Sequence, residues 1–203
     1  MRYLSIALIL LLCFTAFGQT PDKKPAVAAF SGPPDERAST RVLYWNQEKD
    51  AAAGELSIDY GRPVWQKGYE DTAKFDAFTK GKVWRMGNNF WTVFDSNLPV
   101  KISGKDVPVG SWYVGLHRSD DGATWSLAFI DPSKVRAAHT DAFEINNAPV
   151  AFKIPVTIEP ADEMKDKLTI VLTSKESNIK EVTLKINWGK LQLSAPIQVT
   201  VQT

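Results

Sequence analysis

Four stretches of the chain alternate apolar and polar residues with a period of two. Leu56, Ile58 and Tyr60 alternate with Glu55, Ser57 and Asp59. Val150, Phe152, Ile154, Val156 and Ile158 alternate with Ala151, Lys153, Pro155, Thr157 and Glu159. Val182, Leu184, Ile186 and Trp188 form a third set, and Leu191, Leu193, Ala195, Ile197, Val199 and Val201 a fourth. This period puts each apolar set on one face of a strand and each polar set on the other. Half-buried strands of this kind belong to antiparallel sheets. Pro155 and Pro196 have no N–H to give a ladder, so their strands are expected to lie at an edge or to be interrupted there.

The connections fit the same architecture. Ile102-Ser103-Gly104-Lys105 reads as a tight hairpin turn, and Ser119-Asp120-Asp121-Gly122 joins strands over 112–118 and 123–131. Helical signals are few. Asp131-Pro132 is expected to cap a short helix, with Pro at its first position, and Tyr69 to Phe78 holds a second candidate with Phe75 and Phe78 on one side. Many short strands and little helix predict an all-β fold, an antiparallel β-sandwich of jelly-roll-like or Ig-like topology, with one or two short helices.

The periodic region is expected to occupy residues 41–203 as a single domain. Residues 19–40 hold Pro21, Pro25, Pro33 and Pro34 among charged residues, which predicts an exposed spacer. Residues 1–18 begin with the short basic start Met1-Arg2-Tyr3, continue in an apolar run and end in Ala16-Phe17-Gly18, the pattern of a cleaved export signal. The run is short for a membrane span, so no span is expected in the mature chain. A lipoprotein signal ending at Cys13 is the alternative, but such signals take a small residue where Leu12 stands.

Composition narrows the chemistry. The 203 residues carry a net charge of +1, two His and one Cys. A near-neutral chain has no electrostatic footprint for nucleic acid. Removal of the signal takes away the only Cys and one basic residue, leaving no thiol and balanced charges. No metal and no cofactor is expected: His117 and His139 lack paired ligand spacing, and no phosphate loop, dinucleotide turn or nucleophile elbow is present.

Several blocks are more specific. Tyr60-Gly61-Arg62-Pro63 precedes Trp84-Arg85-Met86-Gly87-Asn88-Asn89, then Gly104-Lys105 and Pro108-Val109-Gly110-Ser111-Trp112, and finally Ile186-Asn187-Trp188. In this order, from about Leu56 to Val201, they resemble a bacterial family of exported proteins, domain of unknown function twenty-nine eleven. Asn88 stands where that family typically has Ala, and Trp112 where it has Tyr. The resemblance implies a β-rich exported domain and no particular reaction.

Two sets of residues are candidates for a binding site. In the first, Arg85 supplies a planar fork for a carboxylate or phosphate, Asn88 and Asn89 supply donors and acceptors, and Gly87 permits the bend. Tyr60 and Arg62 would complete a polar pocket around Trp84. The alternative is a structural corner in which Arg85 and Asn89 bond loop carbonyls beneath Trp84. The second set comes from the seven Trp. Strand phase sends Trp125, Trp188 and Trp112 to the core, turns Tyr113 outward and buries both Phe90 and Trp91. Trp45 and Trp65, in loop-like or polar contexts, remain for contact with a ligand. The expectation is therefore a non-catalytic binding or interaction domain at the cell envelope, for a glycan, small molecule or protein. The rival is a hydrolase of envelope or extracellular polymers, using carboxylates near Arg85 and Asn89.

Overall fold

A computed structural model describes residues 36–201. The expected signal, the Cys13 alternative and most of the expected spacer lie outside these residues. The first strand, β1 (Arg37–Asn46), begins inside the segment expected to be spacer. Arg37 there is held by Asp59 on the neighbouring β2 (Ala51–Gly61), which gives the charged start of β1 a reason to be ordered.

The remaining strands are β3 (Val83–Trp84), β4 (Thr92–Ser96), β5 (Val100–Ile102), β6 (Lys105–Val107), β7 (Gly110–Arg118), β8 (Trp125–Ile130), β9 (Val150–Glu159), β10 (Lys165–Lys175), β11 (Asn178–Gly189) and β12 (Leu191–Val199). They form one continuous antiparallel sheet in the order β1-β2-β4-β7-β8-β9-β12-β11-β10, with β3, β5 and β6 attached at the side. The all-β fold expected from the periodicity is present. The sheet doubles back on itself through β9. Residues Val150–Val156 of that strand pair with β8, whereas Thr157–Glu159 pair with β12. The two end strands meet: Thr40 of β1 accepts a bond from the Leu172 N–H of β10 through its hydroxyl, at 2.9 Å.

Both prolines mark places where a strand changes partner. Pro155 is the last β9 residue but one to pair with β8, just before the strand passes to β12. Pro196 lies between Ser194, which pairs with β9, and Ile197, which pairs with β5. A residue without an N–H is tolerated where a ladder is already broken.

The inward residues of the two halves form one core, including Leu56, Ile58, Phe94, Leu127, Phe129, Leu184, Ile186 and Leu193. The predicted apolar faces of β2, β11 and β12 all enter it. β9 departs from strict alternation, since Ile154 is fully buried while Ile158, past the crossover, is half exposed. Gln192 and Ser194 of β12, on the face expected to meet water, are buried and both donate to the Glu159 carboxylate.

A second, smaller core covers the outer face of β7 and β8. Ala128 and Ile130 pack there against Val83, Val135, Ile145 and Ala148, with Trp91 and Tyr113 alongside. The covering pieces are α2 (Pro132–Ala137) and the 3-10 segment Ala142–Asn147. Asp131 caps α2 through the Ser133 N–H, as the sequence predicts. Tyr113, expected to face water, stacks on Trp91 with ring centroids 4.7 Å apart. Phe90, expected to be buried, is 64% exposed because the strand starts only at Thr92. Gly115 makes this outer layer possible. A Cβ there would lie 2.5 Å from Val83 Cγ1 and 2.8 Å from Ile145 Cδ1.

Candidate functional site

β3 and β4 run in line along the same neighbour. Val83 and Trp84 pair with His117 and Leu116 of β7, and Thr92 resumes the ladder opposite Val114. The seven residues between leave the sheet opposite Gly115, as a loop. Its backbone is tightly bent: Met86 and Asn89 have φ of 53° and 64°. The Thr92 hydroxyl donates to the Met86 carbonyl at 2.7 Å and closes the loop at its base. Met86 itself is fully buried and anchors the excursion in the main core. The loop is therefore fixed at both ends by core packing and carries Arg85, Gly87 and Asn88 outward together.

Arg85 is wrapped by its own loop. Its Nε donates to the Gly87 carbonyl at 3.2 Å and its Nη1 to the Asn89 carbonyl at 3.1 Å. The Phe143 ring lies against the guanidinium, with Cζ 4.0 Å from the ring centroid. These are the bonds of the structural-corner reading, and they set the plane of the fork. They do not neutralise it. Among the described residues no carboxylate lies within ion-pair distance of Arg85. Burial pushes its pKa below the ordinary arginine value, and the charge of Asp141 works in the opposite direction.

Arg85 lines a concave pocket of about 520 Å³. One side is aromatic: Trp84 stacks on Trp188 with centroids 4.5 Å apart and planes 12° from parallel, and Tyr69 stacks on Phe78 at 5.1 Å. Phe78 belongs to α1 (Thr72–Thr79), which Asp71 caps through the Ala73 and Lys74 N–H groups. Arg118 holds this helix in place. Its Nη1 donates to Asp76 and to the Thr79 hydroxyl, and its Nε to the Gly122 carbonyl. Behind the pocket, Trp65 packs edge-on against Trp188 at 4.9 Å. The opposite side is the 3-10 segment, with Phe143, Ile145 and Asn146. Asn146 is pinned there, its Oδ1 accepting from the Val83 N–H at 2.9 Å.

The expected site residues divide. Trp84, Arg85 and Asn88 line the pocket. Asn88 sits tightly against Gly61, where any Cβ would collide with it, and its buried Oδ1 has no hydrogen-bond partner among the described residues. Asn89 contributes its carbonyl to Arg85 but does not line the pocket. Trp65 is no loop aromatic open to a ligand: it is packed into the aromatic cluster, and its buried Nε1 has no partner among the described residues.

Tyr60 and Arg62 do not complete the pocket, contrary to expectation. The buried Tyr60 hydroxyl donates to the Ile170 carbonyl at 3.2 Å and accepts from the Ile170 N–H at 2.9 Å. Arg62 bonds the Leu168 carbonyl and the Glu36 carboxylate. Both side chains tie β2 to β10 across the seam of the sheet. Trp45 lies elsewhere, half exposed in a separate depression of about 600 Å³ beside Leu43, Tyr44 and Ile179. His117 is in β7 and His139 is exposed after α2. Among the described residues no group of three or more His, Cys, Asp or Glu is placed to hold a metal ion.

Sequence reasoning missed Tyr69, Phe78, Phe143 and Asn146. They lie on two separate segments that reach the loop only through the folded sheet. The one available signal was the expected short helix carrying Phe75 and Phe78 on one side.

Fold and site together define a class: an antiparallel β protein with a preformed aromatic pocket that has a guanidinium at its edge. Within it the chain belongs to the family described as protein of unknown function (DUF2911), whose model matches residues 45–197. No curated protein and no solved structure matches the chain.

Proposed function

We propose that this protein is an exported, non-catalytic binding domain of the cell envelope, and that the pocket beside Trp84 and Arg85 is its binding site. One observation carries the reading. A concavity of about 520 Å³, within the usual range for small-molecule sites, is lined, among the described residues, by aromatic rings and amides and by no Asp, Glu, His, Ser, Cys or Lys. Such a lining holds a ring-bearing molecule by apolar and aromatic contact and orients it with a few polar groups. Besides Arg85 its only titratable lining group among the described residues is the Tyr69 phenol, which stacks on Phe78, so it offers no carboxylate, imidazole, amine or thiol for acid–base or nucleophilic work. The hydrolase reading needs two carboxylates flanking a bond. The carboxylate that most affects Arg85 is Asp141, which is exposed and caps the 3-10 segment through the Phe143 N–H.

Export rests on the pattern of residues 1–18. N-terminal sequencing of the protein from an extracytoplasmic fraction is expected to start at Gln19. A start at an acylated Cys13, or recovery only inside the cell, overturns it.

The binding reading is tested by intrinsic fluorescence, because Trp84 and Trp188 both line the pocket. Titration with neutral sugars, uronic acids and benzoates is expected to give saturable quenching by at least one compound, lost in Trp84→Ala. A flat response to the whole panel sinks the proposal.

A further inference from the structure

We infer that the pocket selects a cyclic carboxylate, a six-membered ring bearing one carboxylate group, and that Arg85 is the residue that selects it. The inference rests on the binding reading above and names its ligand class.

Among the described residues Arg85 is the only charged one lining the pocket. Its Nε and one Nη1 hydrogen are used on the loop carbonyls of Gly87 and Asn89, which fixes the guanidinium plane before any ligand arrives. A guanidinium carries five N–H donors, so donors remain beyond those two bonds. Phe143 packs against one face of the group. The other cation-rich places in the molecule pair their charges: Arg37 with Asp59, Arg62 and Lys167 with Glu36, and Arg118 with Asp76. Arg85 alone is partly buried, oriented and without an acid at ion-pair distance among the described residues. A partly desolvated cation of this kind gains more from an anion than a surface cation does.

The remaining lining sets the rest of the ligand. Tyr69, Phe78, Trp84 and Trp188 supply an apolar side suited to the flat or C–H-rich face of a ring. One lining cation matches the single charge of a carboxylate, and a phosphate dianion would leave a charge uncompensated. A fixed guanidinium also suits the two oxygens of a carboxylate in a forked pair.

The test compares acids with neutral analogues of the same shape. Glucuronate is titrated against its methyl ester, and benzoate against benzamide, with the purified exported protein. These two arms separate a sugar acid from an aromatic acid. At least one acid is expected to bind about tenfold or more tightly than its neutral analogue, with the preference falling as salt rises. Arg85→Gln is expected to abolish the preference while leaving weak quenching by both partners, and Arg85→Lys to retain part of it.

Equal quenching by acid and neutral analogue overturns the inference and leaves the pocket standing as a binding site. A preference that survives in Arg85→Gln overturns the role of Arg85. Absence of quenching by all four compounds overturns the inference, and the reading beneath it falls with it only when the neutral sugars of the wider panel are silent too. If Arg85→Gln fails to fold by circular dichroism, the acid-to-neutral ratio and its salt dependence in the unaltered protein decide.

Discussion

Arg62 and Arg85 stand in neighbouring sequence blocks, and both donate to backbone carbonyls, yet they serve different regions. Arg62 lies at the seam between β2 and β10, where Glu36 accepts from it and from Lys167. Arg85 lies at the pocket, where carbonyls fix its plane and, among the described residues, no acid completes it. The difference shows what separates a clasp from a site. Carbonyls satisfy part of the fork in both cases, but only a carboxylate cancels the charge. At the seam the protein supplies that carboxylate, and at the pocket no described residue does.

Substitution can break this comparison at its common support. Trp188 underlies the pocket and also donates its Nε1 to the Pro63 carbonyl at 3.0 Å, beside the seam. Trp188→Ala removes a buried aromatic ring and is expected to cost about 3–5 kcal/mol, with loss of both seam and pocket. Chemical denaturation measures it, and a loss under 1 kcal/mol on the order of a surface change would show that the two regions are not jointly supported.

Tyr60→Phe separates them. It strands the Ile170 N–H and C=O that the hydroxyl serves, at a cost of about 1–3 kcal/mol. Ligand quenching in the folded variant is expected to be unchanged, because Tyr60 does not line the pocket. A loss of quenching would tie the seam to the site.

The seam is also expected to respond to acid. A side-chain hydrogen bond from Lys167, helped by the charges of Lys167 and Arg62, holds the Glu36 carboxyl below its ordinary pKa. A carboxyl whose folded pKa is depressed contributes stability above its unfolded pKa and loses it as pH falls through the folded value. The melting temperature is therefore expected to drop as pH falls below about 4.3, and Glu36→Gln to flatten part of that drop. A drop of the same size in Glu36→Gln would assign it to other carboxylates, such as Asp76, which Lys80 and Arg118 hold low.

The smallest effect is expected at Trp45, whose side chain is half exposed and donates to Asp50 at 3.3 Å. Trp45→Ala is expected to change stability by no more than about 0.5 kcal/mol and to leave pocket quenching intact. Altered quenching would move part of the site to the depression beside β1.

Legibility followed the range of the interactions. Ser103 and Gly104 have the positive φ angles, 47° and 78°, that the hairpin reading requires, and Asp131 caps α2 as predicted. These features depend on neighbours a few residues apart. Strand phase placed Trp125 and Trp188 in the core for the same reason. It failed for Tyr113, because the layer that covers it arrives from residues 132–148. The loop-like context of Trp65 misled in turn, because a loop position says nothing about which rings fold onto it.

By itself the sequence determined the all-β class, most core faces, the two short helices, the turns and the family to which the chain belongs. Each follows from periodicity, local backbone preference or a motif read in order. Only the tertiary structure decided the destination of the polar motif residues. Tyr60 and Arg62 meet β10 more than a hundred residues away, whereas Arg85 meets Phe143 and a wall built from Tyr69, Phe78 and Trp188. A polar side chain takes whichever partner the folded sheet brings within bonding distance. Alternation along one strand reports which face is buried and not what comes to lie against it.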